Sequence, residues 1–339
     1  MATITIDRET TTIPDAPDIA GLVFRAFRGE SDYPTIAAVL QGSSDADQIE
    51  EVRTAEDVAR EYAHLTNCDP YRDVSLVEVN GQVVGYKRVT WWKESNGAYI
   101  YFHVAYLLPA WRGQGIGRAM LRHSERRLRE IAAEHATDEG AFFETFAYQT
   151  QPGLESLLRE EGYAPMRYFY DMVRENLDDI PAAPLPPGLE VRPVEPAHYR
   201  TIWEALDEAF RDHWGHSPAT EEDYQLWLKD PNFDPSLWRV AWAGDEVAGM
   251  VLSYIDVREN AKYNRQRGWT EDICVRRPWR RRGLARALLV QSLHAVKERG
   301  MTEAALGVDT ANPNGALSLY ESVGFQVAKR ITVYRKLVV

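Results

Sequence analysis

Cysteine is scarce in this chain. Cys68 and Cys274 are the two present among 339 residues. That is too few for a disulfide framework and too few, alone, for a zinc ligand set, so a reducing compartment and no metal site are expected. Long hydrophobic runs are also lacking. No stretch approaches the ~18 consecutive apolar residues that read as a membrane span. The first ten residues, MATITIDRET, do not have the basic-then-apolar layout of a secretory signal. Positive charge is in deficit: 39 Lys and Arg stand against 51 Asp and Glu, a net charge of −12. Nucleic acids and anionic membranes are polyanions, so neither is an expected partner. A cytoplasmic location fits these absences.

What is present is enough chain for two domains, with an ordinary apolar share of 45%. Against the acidic background stands one basic cluster, Arg276-Arg277-Pro278-Trp279-Arg280-Arg281-Arg282, followed by Gly283, Leu284, Ala285 and Arg286. An arginine run is commonly a solvated loop. Here its position is particular. Ile273, Cys274 and Val275 read as the end of a strand, and Leu284, Leu288, Leu289, Leu293 and Val296 form a helical stripe that Gly300 stops. The unpaired N–H groups and dipole of a helix start favour an anion, and small residues let a pyrophosphate approach the backbone. A second copy occurs upstream: Leu107, then Arg112-Gly113-Gln114-Gly115-Ile116-Gly117 before another amphipathic helix. Arg112 and Arg280 are 168 positions apart, and Gly162 and Gly324 are 162 apart. A period near half the chain, with elements in the same order, indicates a duplicated domain.

The turn Arg280-x-x-Gly283-x-Ala285, its copy at Arg112, Gly115 and Gly117, and the downstream run Asn312 to Phe325 resemble the signature of the GNAT acyltransferase superfamily. The overall likeness is to tandem-GNAT proteins of the mycothiol synthase type. The resemblance implies an α/β fold: two tandem acyl-CoA N-acyltransferase domains, each a mixed, mostly antiparallel sheet flanked by helices. It also implies that the turn cradles acetyl-CoA, the co-substrate. The expected organisation is a tail over 1–20, an N-terminal domain over 21–174, a linker with four prolines over 175–188 and a C-terminal domain over 189–339. Hairpins are expected about Asn80-Gly81 and Gly244-Asp245, and two short strands near Phe325 and 331–337 close the chain.

The resemblance further places an Asn beside the pantetheine arm and a Tyr as the acid that protonates the departing thiolate. Asn312, Ala316 and Tyr320 match those positions; the first half has Thr150 and Leu158 instead. A catalytic C-terminal half and a degenerate N-terminal half are therefore expected. Tyr320 also reads as a half-buried aromatic, and Asn312 as a turn residue before Pro313. Glu271 shares strand parity with Val275. It reads as a general base acting directly or through water, as a substrate-binding carboxylate, or as a solvated residue. Cys274 has no His partner pattern and reads as buried. Asp207, Asp212, His213 and Trp214, with Trp203, Phe210, His216, Tyr224 and Trp227, are the acceptor-pocket candidates. Acids among aromatics suit a cationic small-molecule amine, although such residues also serve as core and caps. The expected activity is acetyl transfer to that amine by direct attack. A non-catalytic acyl-CoA binding protein is the alternative. The glycines at 113, 115 and 117 lack dinucleotide-binding spacing.

Overall fold

The computed structural model describes residues 10, 11 and 13–339. The chain divides into two compact units: the described residues up to Met166 with Thr332–Val339, and Arg167–Ile331. In chain order the elements are β1 (Thr10–Thr11), β2 (Leu22–Ala26), α1 (Tyr33–Ala46), α2 (Ala55–Tyr62), α3 (Pro70–Asp73), β3 (Val74–Val79), β4 (Gln82–Lys93), β5 (Tyr99–Leu107), α4 (Ile116–Ala132), β6 (Ala141–Tyr148), α5 (Pro152–Glu160) and β7 (Ala164–Arg174). There follow β8 (Glu190–Val191), α6 (Tyr199–Phe210), α7 (Glu221–Leu228), β9 (Arg239–Ala243), β10 (Glu246–Tyr254), α8 (Val257–Tyr263), β11 (Arg267–Val275), α9 (Leu284–Glu298), β12 (Glu303–Asp309), α10 (Ala316–Ser322) and β13 (Gln326–Leu337).

In the N-terminal unit the strand order is β1-β2-β3-β4-β5-β6. All neighbours are antiparallel except β5 and β6. The C-terminal unit runs β7-β12-β11-β10-β9-β8, antiparallel except for β11 and β12. The Asn80-Gly81 hairpin is present, with both residues at positive φ. Thr54 and Asp57 close α2 in a capping box, as Thr220 and Asp223 do for α7.

The closing strands change the expected boundaries. Residues 167–174 of β7 belong to the C-terminal unit, where Asp171 pairs with Gly307 and Phe169 with Asp309. Residues 332–339 belong to the N-terminal unit. There Val338 N–H donates to Ala141 O at 2.9 Å, and Lys336 Nζ donates to Glu125 at 2.7 Å. The ranges 21–174 and 189–339 thus each trade their last strand. β13 is also one strand of 12 residues rather than two short ones. The expected loose tail over 1–20 packs where it is described: Ile13 is buried, and Asp15 pairs with Arg126 at 2.7 Å. The rest of that expectation falls outside the described residues. Helix α8 was not foreseen. Asp256 caps it by accepting from Arg258 and Glu259 N–H groups.

Helix α9 lies tightly on β11 because Gly268 has no side chain. A Cβ there would stand 2.7 Å from Val296 Cβ. Gly268→Ala is therefore expected to cost about 1–3 kcal/mol of stability, read as a lowered urea midpoint. Among the described residues no helix is long and apolar enough to cross a membrane. No group of three His, Cys, Asp or Glu side chains there could hold a metal ion.

Candidate active site

The site of the C-terminal unit is a gap between two parallel strands. β11 and β12 pair only at Arg267–Trp269 with Glu303–Ala305. Beyond Trp269 they diverge, and the edge of β11 toward β12 has no ladder partner. On its other edge β11 carries a bulge. Met250 faces Cys274 and Leu252 faces Glu271, so one residue is extra, and Asp272 takes φ +48°. Aspartate tolerates that left-handed conformation better than most residues. The gap and the bulge open a cleft of about 600 Å³.

Glu271 spans the gap. Its Oε1 accepts the Gly307 N–H of β12 at 2.9 Å. Burial in the cleft pushes its carboxyl up to about 8; the negative charges of Asp272 and Asp171 add to the effect and the Gly307 bond opposes it. Asp272 is pushed up to about 6 by burial. Tyr320 is 5% exposed and reaches the same cleft from α10. Burial, then the charges of Glu271 and Cys274, raise its phenol well above 10, so it stays protonated at every working pH. The Cys274 thiol is buried and also pushed up by desolvation, which fits a packing residue rather than a nucleophile.

The turn before α9 frames the other end. Arg281 at φ +60° and Gly283 at φ +83° turn the chain into a 15-residue helix. A Cβ at Gly283 would meet nothing within 4 Å, so the backbone there is open to a ligand. Ile273, Val275, Arg280, Arg281, Gly283 and Leu284 line the cleft, and so do Ala285, Arg286, Asn312 and Ala316. Arg282 is exposed and outside that lining.

The arginines divide by task. Arg280 Nε donates to Val275 O at 2.9 Å and Nη1 to Asp212 at 2.9 Å. Arg277 also binds Asp212, and Arg276 binds Glu208 at 2.7 Å. These three tie the turn to α6 and the loop after it. Arg286 Nη1 donates to Ser322 Oγ at 2.6 Å and so links α9 to α10. Arg281 and Arg282 are exposed.

Several acceptor candidates are placed elsewhere by the geometry. Asp212 is engaged by Arg277 and Arg280, whose hydrogen bonds hold its carboxyl far below the usual range. Its role is to brace the turn. Asp207 accepts from Ala219 N–H and from His216, each at 3.2 Å, and organises its own loop. Trp214 is outside the lining but borders it: its ring lies under Arg167, 5.6 Å from the guanidinium carbon, and 6.5 Å from that of Phe169, which lines the cleft. Trp203 and Trp227 pack against the core of α6, β9 and β10; Phe210 packs there too but also lines the cleft, its ring centroid 4.2 Å from that of His213. Of the four, His213 lines the cleft, its imidazole lowered by burial. The sequence reading missed Phe169, Tyr170 and Asp171, which enter the lining from β7. Their strand follows the first half in sequence but pairs with β12. The signal available was Asp171 itself, the one acid in a strand whose other residues are aromatic, apolar or arginine.

The N-terminal unit repeats the scaffold with different residues at the matching positions. Arg112 Nε donates to Leu107 O at 2.9 Å, and its Nη2 to Asp47 at 3.0 Å, in parallel with Arg280 and Asp212. Gly113 and Gly115 are at φ +75° and +88°, Gln114 bonds Ala110 O, and buried Ile116 starts α4 ahead of Gly117. A cleft of about 700 Å³ lies beside them. However, β4 and β5 pair without a bulge from Gly85–Leu107 to Lys93–Tyr99. His103, nine residues before Arg112 as Glu271 is before Arg280, is hydrogen-bonded to Tyr163 at 2.8 Å. Leu158, fully buried, replaces Tyr320.

The sequence matches the family described as acetyltransferase (GNAT) over residues 39–141 and 199–325. It is 28% identical over 257 residues to a mycothiol acetyltransferase of Geodermatophilus obscurus, covering 75% of this chain and 79% of that protein. It is 29% identical over 232 residues to one from Thermobispora bispora, covering 67% and 73%. The crystal structure of a GCN5-related N-acetyltransferase from Sphaerobacter thermophilus superposes with a TM-score of 0.70 at 27% identity, over 96% of this chain and 97% of that one. A tandem GNAT protein from the clavulanic acid biosynthesis pathway has a TM-score of 0.62 at 16% identity, over 93% and 98%; that likeness is one of fold.

Proposed function

The chain belongs to the GNAT acetyltransferase family, and from that premise we propose that residues 167–331 form an acetyl-CoA-dependent N-acetyltransferase acting on a primary amine of a small molecule. The carrying observation is the position of Glu271: it bridges the strand gap to Gly307 and shares one cleft with Tyr320 and the open helix start. The turn amides and α9 dipole receive the pyrophosphate of acetyl-CoA, and Arg281 and Arg282 add charge. The strand gap admits the thioester arm, with Asn312 and Ala316 on its border. An alkyl amine has a pKa of about 10 and enters mostly charged. Glu271 takes its proton, the amine attacks the thioester carbonyl, and Tyr320 protonates the thiolate.

The N-terminal unit has a locked His103 and Leu158 in the corresponding places. We assign it a structural or ligand-holding role without turnover.

Thiol release from acetyl-CoA in the presence of a panel of small amines tests the reading. Amine-dependent release is expected. Its absence across the panel, with acetyl-CoA bound, would leave an acyl-CoA binding protein. Replacing Arg281 and Arg282 by Ala is expected to raise the KM for acetyl-CoA about 3- to 10-fold with kcat nearly unchanged. Each lost charge contact near the surface is worth ~1 kcal/mol or less. The defect should shrink at high salt, because screening weakens the interaction in the parent protein too.

A further inference from the structure

The acetyl-transfer reading leaves the acceptor side of the cleft unassigned, and β7 supplies it. Register and packing fix which residues of β7 face that side. Met172 and Tyr170 pack with Leu306 and Val308 against α9 and α10. Arg167, Phe169 and Asp171 therefore share the opposite face with Gly307 and Asp309 of β12. Asp171 is directly opposite Gly307. Glu271 approaches Gly307 from its other side: an added Cβ there would lie 3.7 Å from Glu271 Oε1. Two carboxylates thus flank a position that bears no side chain.

We propose that Asp171 is a substrate-binding residue that, with Glu271, receives the acceptor as an ammonium ion over Gly307. This rests on the acetyl-transfer reading. It narrows the substrate class to amines that bind in their protonated form and lose the proton inside the site. The ammonium gives one proton to the Glu271 carboxylate. The freed nitrogen bonds to the thioester carbon, the C–S bond breaks, and the sulfur takes the Tyr320 proton. The second nitrogen proton restores Tyr320, and Glu271 returns its proton to solvent. The net products are amide, CoA thiol and one proton. Asp171 takes no part in proton transfer; it holds the cation and raises the basicity of its neighbour. The groups facing Glu271 are Asp272 on its own strand, Asp171 on β7, Tyr254 on β10 and Tyr320 on α10, with the Gly307 N–H from β12. His213 lines the same cleft from the loop after α6.

The test uses the full chain and the variants Asp171→Asn and Asp171→Glu, with butylamine, cadaverine, glucosamine and glycinamide as acceptors. For the amine that the parent protein uses best, Asp171→Asn should raise the amine KM at least 10-fold. Its kcat should change less than 3-fold and its acetyl-CoA KM not at all. The acid limb of the kcat/KM profile should move to lower pH, because a negative neighbour of Glu271 is gone. Asp171→Glu, which restores the charge, should move it back. Carbon NMR of labelled glutamate follows the Glu271 titration independently of turnover and should show the same downward movement. An unchanged amine KM and an unmoved titration in a folded Asp171→Asn protein overturn the assignment. If the parent releases thiol with none of these amines, the acetyl-transfer reading itself fails, and the assignment with it.

Discussion

Glu271→Gln should lower kcat/KM about 100-fold or more at pH 8 and remove the acid limb of its pH profile. Glutamine keeps the shape and can still accept the Gly307 N–H through its amide oxygen, so the strand gap survives. It cannot take a proton from an ammonium. Positioned general bases contribute about 10²–10⁴ in rate, so the loss amounts to ~2.7 kcal/mol or more on the barrier. The sign of the pH effect follows from the carboxyl being pushed up to about 8. Below that value the site is protonated and cannot act as a base. In the parent protein kcat/KM should climb with pH through about 8 and then level off. Stability should respond in the opposite sense. The folded protein retains a proton that the unfolded chain, with an ordinary value of 4.5, has already lost. This site's contribution to stability therefore falls as pH rises from about 4.5 to 8. The Gln variant escapes that loss, so its melting temperature at pH 8.5 should equal or exceed the parent's. A slower enzyme that is no less stable separates a chemical defect from a folding defect. An unaltered rate would take the base role away from Glu271.

Tyr320→Phe should lower kcat at least ~10-fold, or ~1.4 kcal/mol, while leaving the KM for acetyl-CoA nearly unchanged. The ring is buried and packs on Phe325, with centroids 6.4 Å apart. Phenylalanine keeps that contact and loses only the hydroxyl. Because burial and neighbouring negative charge raise the phenol, its proton is present throughout the working range. The limb near pH 8 should therefore persist in this variant. The defect should also depend on the leaving group. An acetyl thioester of a more acidic thiol needs less help in departing, so the gap between parent and variant should narrow. Turnover equal to the parent's on acetyl-CoA would remove Tyr320 from the acid role.

Local pattern carried much of the architecture. The capping boxes at Thr54 and Thr220, the Asn80-Gly81 hairpin, the stripe of α9 and the glycine-bearing turns all depend on residues close in sequence. Each could be read from spacing alone. The candidate site was legible where its members lie on one continuous segment, as with Val275 to Arg286 and Asn312 to Tyr320. It was misread where a side chain's partner is distant. Asp212 looked like an acceptor-binding acid because nothing nearby in sequence claims it; its claimants, Arg277 and Arg280, are more than sixty residues away. Asp171 was overlooked for the converse reason. Its strand follows the first half in sequence yet pairs with β12.

The sequence by itself settled the duplication, the two turns and the asymmetry between Tyr320 and Leu158, since these are matters of residue identity at fixed spacing. The tertiary structure alone decided the exchange of closing strands, the bulge at Asp272 and the bond from Gly307 to Glu271. The reason is physical. A strand's alternation states which face is buried but not which neighbour supplies its hydrogen bonds. A carboxylate's chemistry is set by the charges and amides that the assembled sheet brings beside it.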